Sequence, residues 1–90
     1  MAKVVIIDDS PTETAKLKLF LEDANHQVLT AEDGESGIAL VREELPDVVL
    51  MDVVMPGLNG FQATRQLTQG ETTKHIPVII VTTKDQKTDQ

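Results

Sequence analysis

Two adjacent acids, Asp8 and Asp9, end the apolar run Val4-Val5-Ile6-Ile7, and a third, Asp52, ends the run Val48-Val49-Leu50-Met51. A further run, Val78-Ile79-Ile80-Val81, ends in the hydroxyls Thr82 and Thr83. If these runs are neighbouring parallel strands, three carboxylates meet on one rim, where they repel one another unless a cation holds them. A hard divalent ion with oxygen ligands is the natural solution, Mg²⁺ before Ca²⁺, because Mg²⁺ takes few carboxylates and completes its shell with water. Pro56-Gly57 then turns the chain away from the rim, Pro fixing φ and Gly supplying unusual dihedrals. A backbone carbonyl in such a turn faces inward, which makes Val54 a candidate ligand through its main chain.

Each piece also has a plainer explanation. Asp8-Asp9 before Ser10-Pro11 is compatible with a simple turn and helix cap. Asp52 alone could be a solvated strand-end acid, and Thr82 a strand-end hydroxyl or cap. What the plain readings do not require is that all of them occur together at successive strand ends. His26 falls in a turn and His75 in a polar connection, so both read as surface residues away from the rim.

The elements that must position these groups are legible from periodicity. Residues 4–7, 48–51 and 78–81 are short β-branched runs of the kind found in parallel strands covered on both faces, and residues 27–31 form a more mixed, edge-like strand. Ser10-Pro11-Thr12-Glu13 is a capping box with Pro in the first turn, followed by an apolar stripe of Ala15, Leu17, Leu19, Phe20, Leu21 and Ala24, with Asn25 as terminator. Asp33 caps a second helix bearing Ile38, Ala39, Val41 and Leu45, which Pro46 stops. Asn59-Gly60 opens a third, with Phe61, Ala63, Thr64 and Leu67, ending at Gly70. Strand and helix therefore alternate from the first strand to the fourth, which predicts an α/β fold with an open parallel sheet and helices on both faces. In such sheets functional groups gather at the carboxyl ends of the strands.

Composition bounds the function. Ninety residues make one small domain without internal repeat or linker. A net charge of −7 argues against nucleic acid or an anionic membrane as the main partner. With no cysteine there is neither a disulfide framework nor a thiolate metal site, which fits a cytoplasmic protein. No apolar run approaches the roughly 20 residues of a membrane span, and the N-terminal run is too short for a secretory signal.

Asp8-Asp9, the segment Asp52-Val53-Val54-Met55-Pro56-Gly57-Leu58-Asn59-Gly60 and the strand ending in Thr82 resemble the receiver domain of two-component response regulators (CheY-like) over essentially the whole chain. More narrowly, the helix start SPTE, the stretch PDVVLMDVVMPGLNGFQATRQL and IPVIIVTTKDQ resemble stand-alone receivers of type IV pilus twitching-motility systems. The resemblance implies a flavodoxin-like sheet and a phosphoryl group accepted on Asp52 from a phosphohistidine of a sensor histidine kinase or phosphotransfer protein. It implies Mg²⁺ held by Asp9, Asp52 and the Val54 carbonyl, with Asp8 acting through bound water and Thr82 as the switch hydroxyl. The protein is then a phosphoacceptor and not a substrate-turning enzyme, its only reactions being metal-assisted self-phosphorylation and self-dephosphorylation.

The family usually continues with a helix, a strand ending in Lys-Pro and a final helix, whereas this sequence stops at Gln90. The domain is thus read as residues 1–90 of a truncated receiver, with 83–90 a polar tail or the start of a fourth helix. No catalytic lysine is assigned, since Lys84 and Lys87 match no family position. The fourth strand and the face of the first helix are expected to be left open, which predicts self-association, most simply as a homodimer. The alternative is a phosphorylation-defective module retaining only docking or dimerisation. A haloacid-dehalogenase-type phosphatase is disfavoured because such enzymes need an acid where Val54 stands, and no phosphate-binding glycine loop follows the first strand.

Overall fold

The computed structural model describes residues 1–52 and 60–81. Four strands, β1 (Lys3–Ile7), β2 (Gln27–Ala31), β3 (Val48–Asp52) and β4 (Val78–Val81), alternate with three helices, α1 (Pro11–Asp23), α2 (Gly34–Glu44) and α3 (Gly60–Gln69). All strand pairs are parallel and the sheet order is β2-β1-β3-β4, the α/β open sheet expected. The mixed strand β2 does lie at an edge, and β1 lies inside, with Val4 to Ile7 all buried.

Local sequence explains the helix ends. Ser10, in extended conformation, accepts a hydrogen bond from the Glu13 N–H, and Pro11 occupies the first turn. Asn25 at φ 70° takes the chain out of α1, Asn being among the residues that tolerate the left-handed region. Asp33 caps α2 through the Ser36 N–H at 2.8 Å. Leu45, at φ 46°, ends that helix immediately before Pro46, its N–H still bonded to the Val41 carbonyl. Thr73, fully buried, ties the segment after α3 back to it, its Oγ1 donating to the Leu67 carbonyl at 2.6 Å.

The sheet separates two cores. On one face Val5, Ile7, Val49 and Met51 pack with Ile38 and Val41 of α2, Ala63 and Leu67 of α3, and Ile76. On the other, Val4, Ile6 and Val28 are covered by the partly buried Leu17 and Leu21 of α1. Several expectations change here. Ala15, Leu19 (64% exposed), Phe20 (71%) and Ala24 do not belong to the inward stripe of α1, whose apolar contact with the sheet is made by the i, i+4 pair Leu17 and Leu21. Ala39 and Leu45 of the second helix and Phe61 of the third are exposed as well. The apolar run of β4 reads as a covered strand, while the family resemblance expects it open; Ile79 and Ile80, on opposite faces, are 52% and 37% exposed.

Candidate functional site

The carboxyl end of β1 is extended by one ladder bond, Asp8 N–H to the Ala31 carbonyl at 3.0 Å, which anchors Asp8 to the end of β2. Asp8 Oδ1 accepts the Ser10 N–H at 2.8 Å, closing a turn in which the side chain mimics a backbone carbonyl. Asp52 is the last residue of β3, paired in register with Val81, and 1% exposed. Since side chains alternate along a strand, Asp8 continues the face of Ile6 and Asp52 that of Leu50, both on the α1 side.

This register brings the three predicted acids together. One carboxylate oxygen from each of Asp8, Asp9 and Asp52 lies within 4.8 Å of the others, with Asp8 and Asp52 buried and Asp9 half-buried. Buried carboxylates have lost much of their hydration, at several kcal/mol per ion, so clustering them requires compensating positive charge or donors. The donor set is entirely hard oxygen, which fits Mg²⁺ or Ca²⁺ and not a thiophilic metal. Beside Asp8 and Asp9 a cleft of about 670 Å³ runs between α1 and α2 past the end of β2, lined also by Thr14, Lys18, Thr30 and Ser36 among others.

Val54, Pro56, Gly57, Thr82, Thr83, Lys84 and Lys87, together with the tail 83–90, lie outside the described residues. His75 is exposed as expected. His26, expected to be a surface histidine, is instead half-buried, and its Nδ1 accepts the Ala2 N–H at 3.0 Å. It sits at the amino ends of the strands, opposite the acids. There Lys3 donates its N–H to Asp47 Oδ2 at 2.7 Å and its Nζ to Glu44 Oε1 at 3.1 Å. Sequence reading missed these links, as it missed the contribution of the Ser10 N–H. The spacing Asp8-x-Ser10 carried a signal for the latter, because Asp commonly accepts from the N–H two residues on.

A parallel α/β sheet with an acidic rim at its central strand ends defines a class of domain suited to holding a divalent cation among carboxylates. Residues 4–90 match the model of the response regulator receiver domain, and the chain belongs to that family. It is similar to protein PilH of Pseudomonas aeruginosa, at 68% identity over the whole chain and 74% of that protein. Among solved structures it resembles the chemotaxis protein CheY4 of Vibrio cholerae, with a TM-score of 0.87 and 33% identity over 94% of this chain and 71% of that one. It shares the fold of the receiver domain of the sensor histidine kinase PA1611 from P. aeruginosa, with a TM-score of 0.87 and 24% identity over 98% of this chain and 72% of that one. That domain was solved with magnesium coordinated in its active-site cleft. Other curated relatives are longer, and the chain spans only 20% to 38% of their lengths. The protein is thus a CheY-like receiver domain of two-component signalling. No described helix is long and apolar enough to cross a membrane.

Proposed function

We propose that Asp52 accepts a phosphoryl group from a phosphohistidine on a sensor histidine kinase or phosphotransfer protein, in chemotaxis-like control of pilus motility. The observation that carries this reading is the convergence of Asp52 with Asp8 and Asp9 within 4.8 Å on a rim reached by an open cleft. The family implies Mg²⁺ at that cluster, and the magnesium described for the PA1611 receiver supports it. Asp9 and Asp52 would hold the ion directly and Asp8 through bound water, with the Val54 carbonyl as the family pattern suggests, and the ion when bound would offset charge on the phosphoryl oxygens.

The chain's own contribution is positional. β3 presents the Asp52 carboxylate at a fixed point, so an oxygen can attack phosphorus in line with the departing imidazole nitrogen. The O–P bond forms as the P–N bond breaks, and the imidazole leaves with the electron pair. Thr82 is assigned the hydroxyl that follows the phosphoryl group, whose roughly two negative charges favour a new donor contact. The link to pilus motility rests on the motif resemblance and on the 68% identity to PilH.

The experiment is labelling by acetyl phosphate with Mg²⁺, followed by intact mass. The parent is expected to gain one phosphoryl group and Asp52→Asn none. Equal labelling of both would overturn the assignment. A folded parent that binds neither Mg²⁺ nor beryllofluoride would favour the alternative of an interaction module. Exposed Ile79, Ile80 and Phe20 support a homodimer through β4 or the α1 face, for which sedimentation should show a dimer at high concentration and a monomer would refute it.

A further inference from the structure

We propose that Ser10 is a positioning residue for the metal cluster, and that its backbone N–H, not its hydroxyl, is the part that counts. The inference rests on the proposed Mg²⁺ site and deepens it. Ser10 sits between the acids and α1 and uses three groups in three directions. Its N–H donates to Asp8 Oδ1 at 2.8 Å, its Oγ accepts from the Glu13 N–H at 3.4 Å, and its carbonyl accepts from the Thr14 N–H at 3.0 Å. Asp8 is thereby held from both sides, by its own N–H on the Ala31 carbonyl and by its carboxylate on Ser10.

The two Ser10 bonds differ in kind. The hydroxyl contact is long and partly exposed and belongs to the helix. The N–H contact is short and charge-assisted, and it engages a 4% exposed carboxylate that lies within reach of those of Asp9 and Asp52. A donor on Oδ1 restricts rotation of the Asp8 carboxylate and so fixes the direction its charge presents to the cluster. Hydrogen bonds to a residue that ligates a metal directly commonly change the metal's affinity by one to two orders of magnitude. Asp8 is expected to act through water and not as a direct ligand, which places the effect at the lower end.

The test separates the two bonds. Ser10→Ala keeps the N–H and removes the cap; Ser10→Pro removes both. An ester linkage at position 10, introduced with the α-hydroxy analogue of serine, removes only the N–H and covers the case in which Ser10→Pro fails to fold. Mg²⁺ affinity is read by titration calorimetry, and folding by urea denaturation of the same metal-free samples. Ser10→Ala should bind Mg²⁺ within about twofold of the parent while losing some stability. The ester, and Ser10→Pro if folded, should bind about tenfold more weakly. If the folded ester binds as the parent does, Ser10 is only a helix cap and the inference fails. If the folded parent binds no Mg²⁺, the underlying site assignment fails first.

Discussion

The two faces of the sheet are built to different standards. Among the described residues the α2/α3 face buries nine side chains in one cluster, whereas the α1 face buries three and α1 itself has no fully buried residue. Yet Asp8 and Asp52 project on the thinner face, in line with Ile6 and Leu50. Among the described residues the larger apolar core therefore lies on the side away from the acids.

The largest test of this contrast is a pair of truncations. Leu67→Ala, at a 1% exposed position in the thick core, should cost about 3 kcal/mol, within the usual range for a buried leucine. Leu17→Ala on α1, only partly buried, should cost about 1 kcal/mol, since part of the removed surface was already in water. Urea denaturation with unchanged m-values measures both, and equal losses would mean that α1 is packed as firmly as α3.

Gly37 tests how tightly the thick face is closed. A Cβ there would stand 2.5 to 2.8 Å from three side-chain carbons of Ile7, in the middle of that core. Gly37→Ala should therefore destabilise by roughly 1–2 kcal/mol, the overpacking cost exceeding the helix-propensity gain of up to about 1 kcal/mol. A stabilised variant would show that α2 can lift from β1 without penalty.

The same asymmetry explains what could be read in advance. Strand and helix alternation, the Ser10 and Asp33 caps and the placement of each acid at a strand end follow from local patterns, although the Ser10 capping box forms only by half, its N–H going to Asp8 and not to Glu13. That the acids meet follows from the alternation, which sets neighbouring parallel strands. The uncovered Ile79 and Ile80 escape a strand-burial reading, because an apolar run specifies a strand but not whether a neighbour covers it. Phe20 and Leu19 look like core by composition, and only the helical angle relative to Leu17 and Leu21 turns them outward. The links of Lys3 to Asp47 and of His26 to Ala2 join residues 44 and 24 positions apart, which no local pattern encodes.

A smaller effect is expected at Thr14, on the thin face. Its Oγ1 is buried without a hydrogen-bond partner, so a desolvated hydroxyl goes uncompensated there. Thr14→Val replaces it with a methyl of similar size and should be neutral or stabilising by up to about 1 kcal/mol. A clear loss in thermal midpoint would indicate that the hydroxyl has a partner, such as an ordered water, and that this face is more polar than its side chains suggest.

The smallest expected effect belongs to the thick face and depends on pH. Asp33 is held below its ordinary carboxylate value of 3.8, first by the Ser36 N–H and then by the Ser36 hydroxyl, both donating to its charged form at the start of α2. In the folded state it therefore releases its proton at lower pH than in the unfolded chain. Its contribution is fully present above the unfolded value and is lost as pH falls through the folded one, because only the unfolded state takes up a proton in between. Asp33→Asn keeps an effective cap but cannot titrate. The stability difference between parent and Asp33→Asn should be flat from pH 7 to about 5 and should shift against the parent below about 4. Subtracting the variant cancels the titration of the acidic cluster, which both proteins share. Removing the hydroxyl with Ser36→Ala should shrink the shift without abolishing it, since the backbone N–H of Ser36 does more than the hydroxyl to hold the charged form. A difference that stays flat to pH 3 would mean that the α2 cap is frayed in solution, and the firm face would then be firm only in its interior.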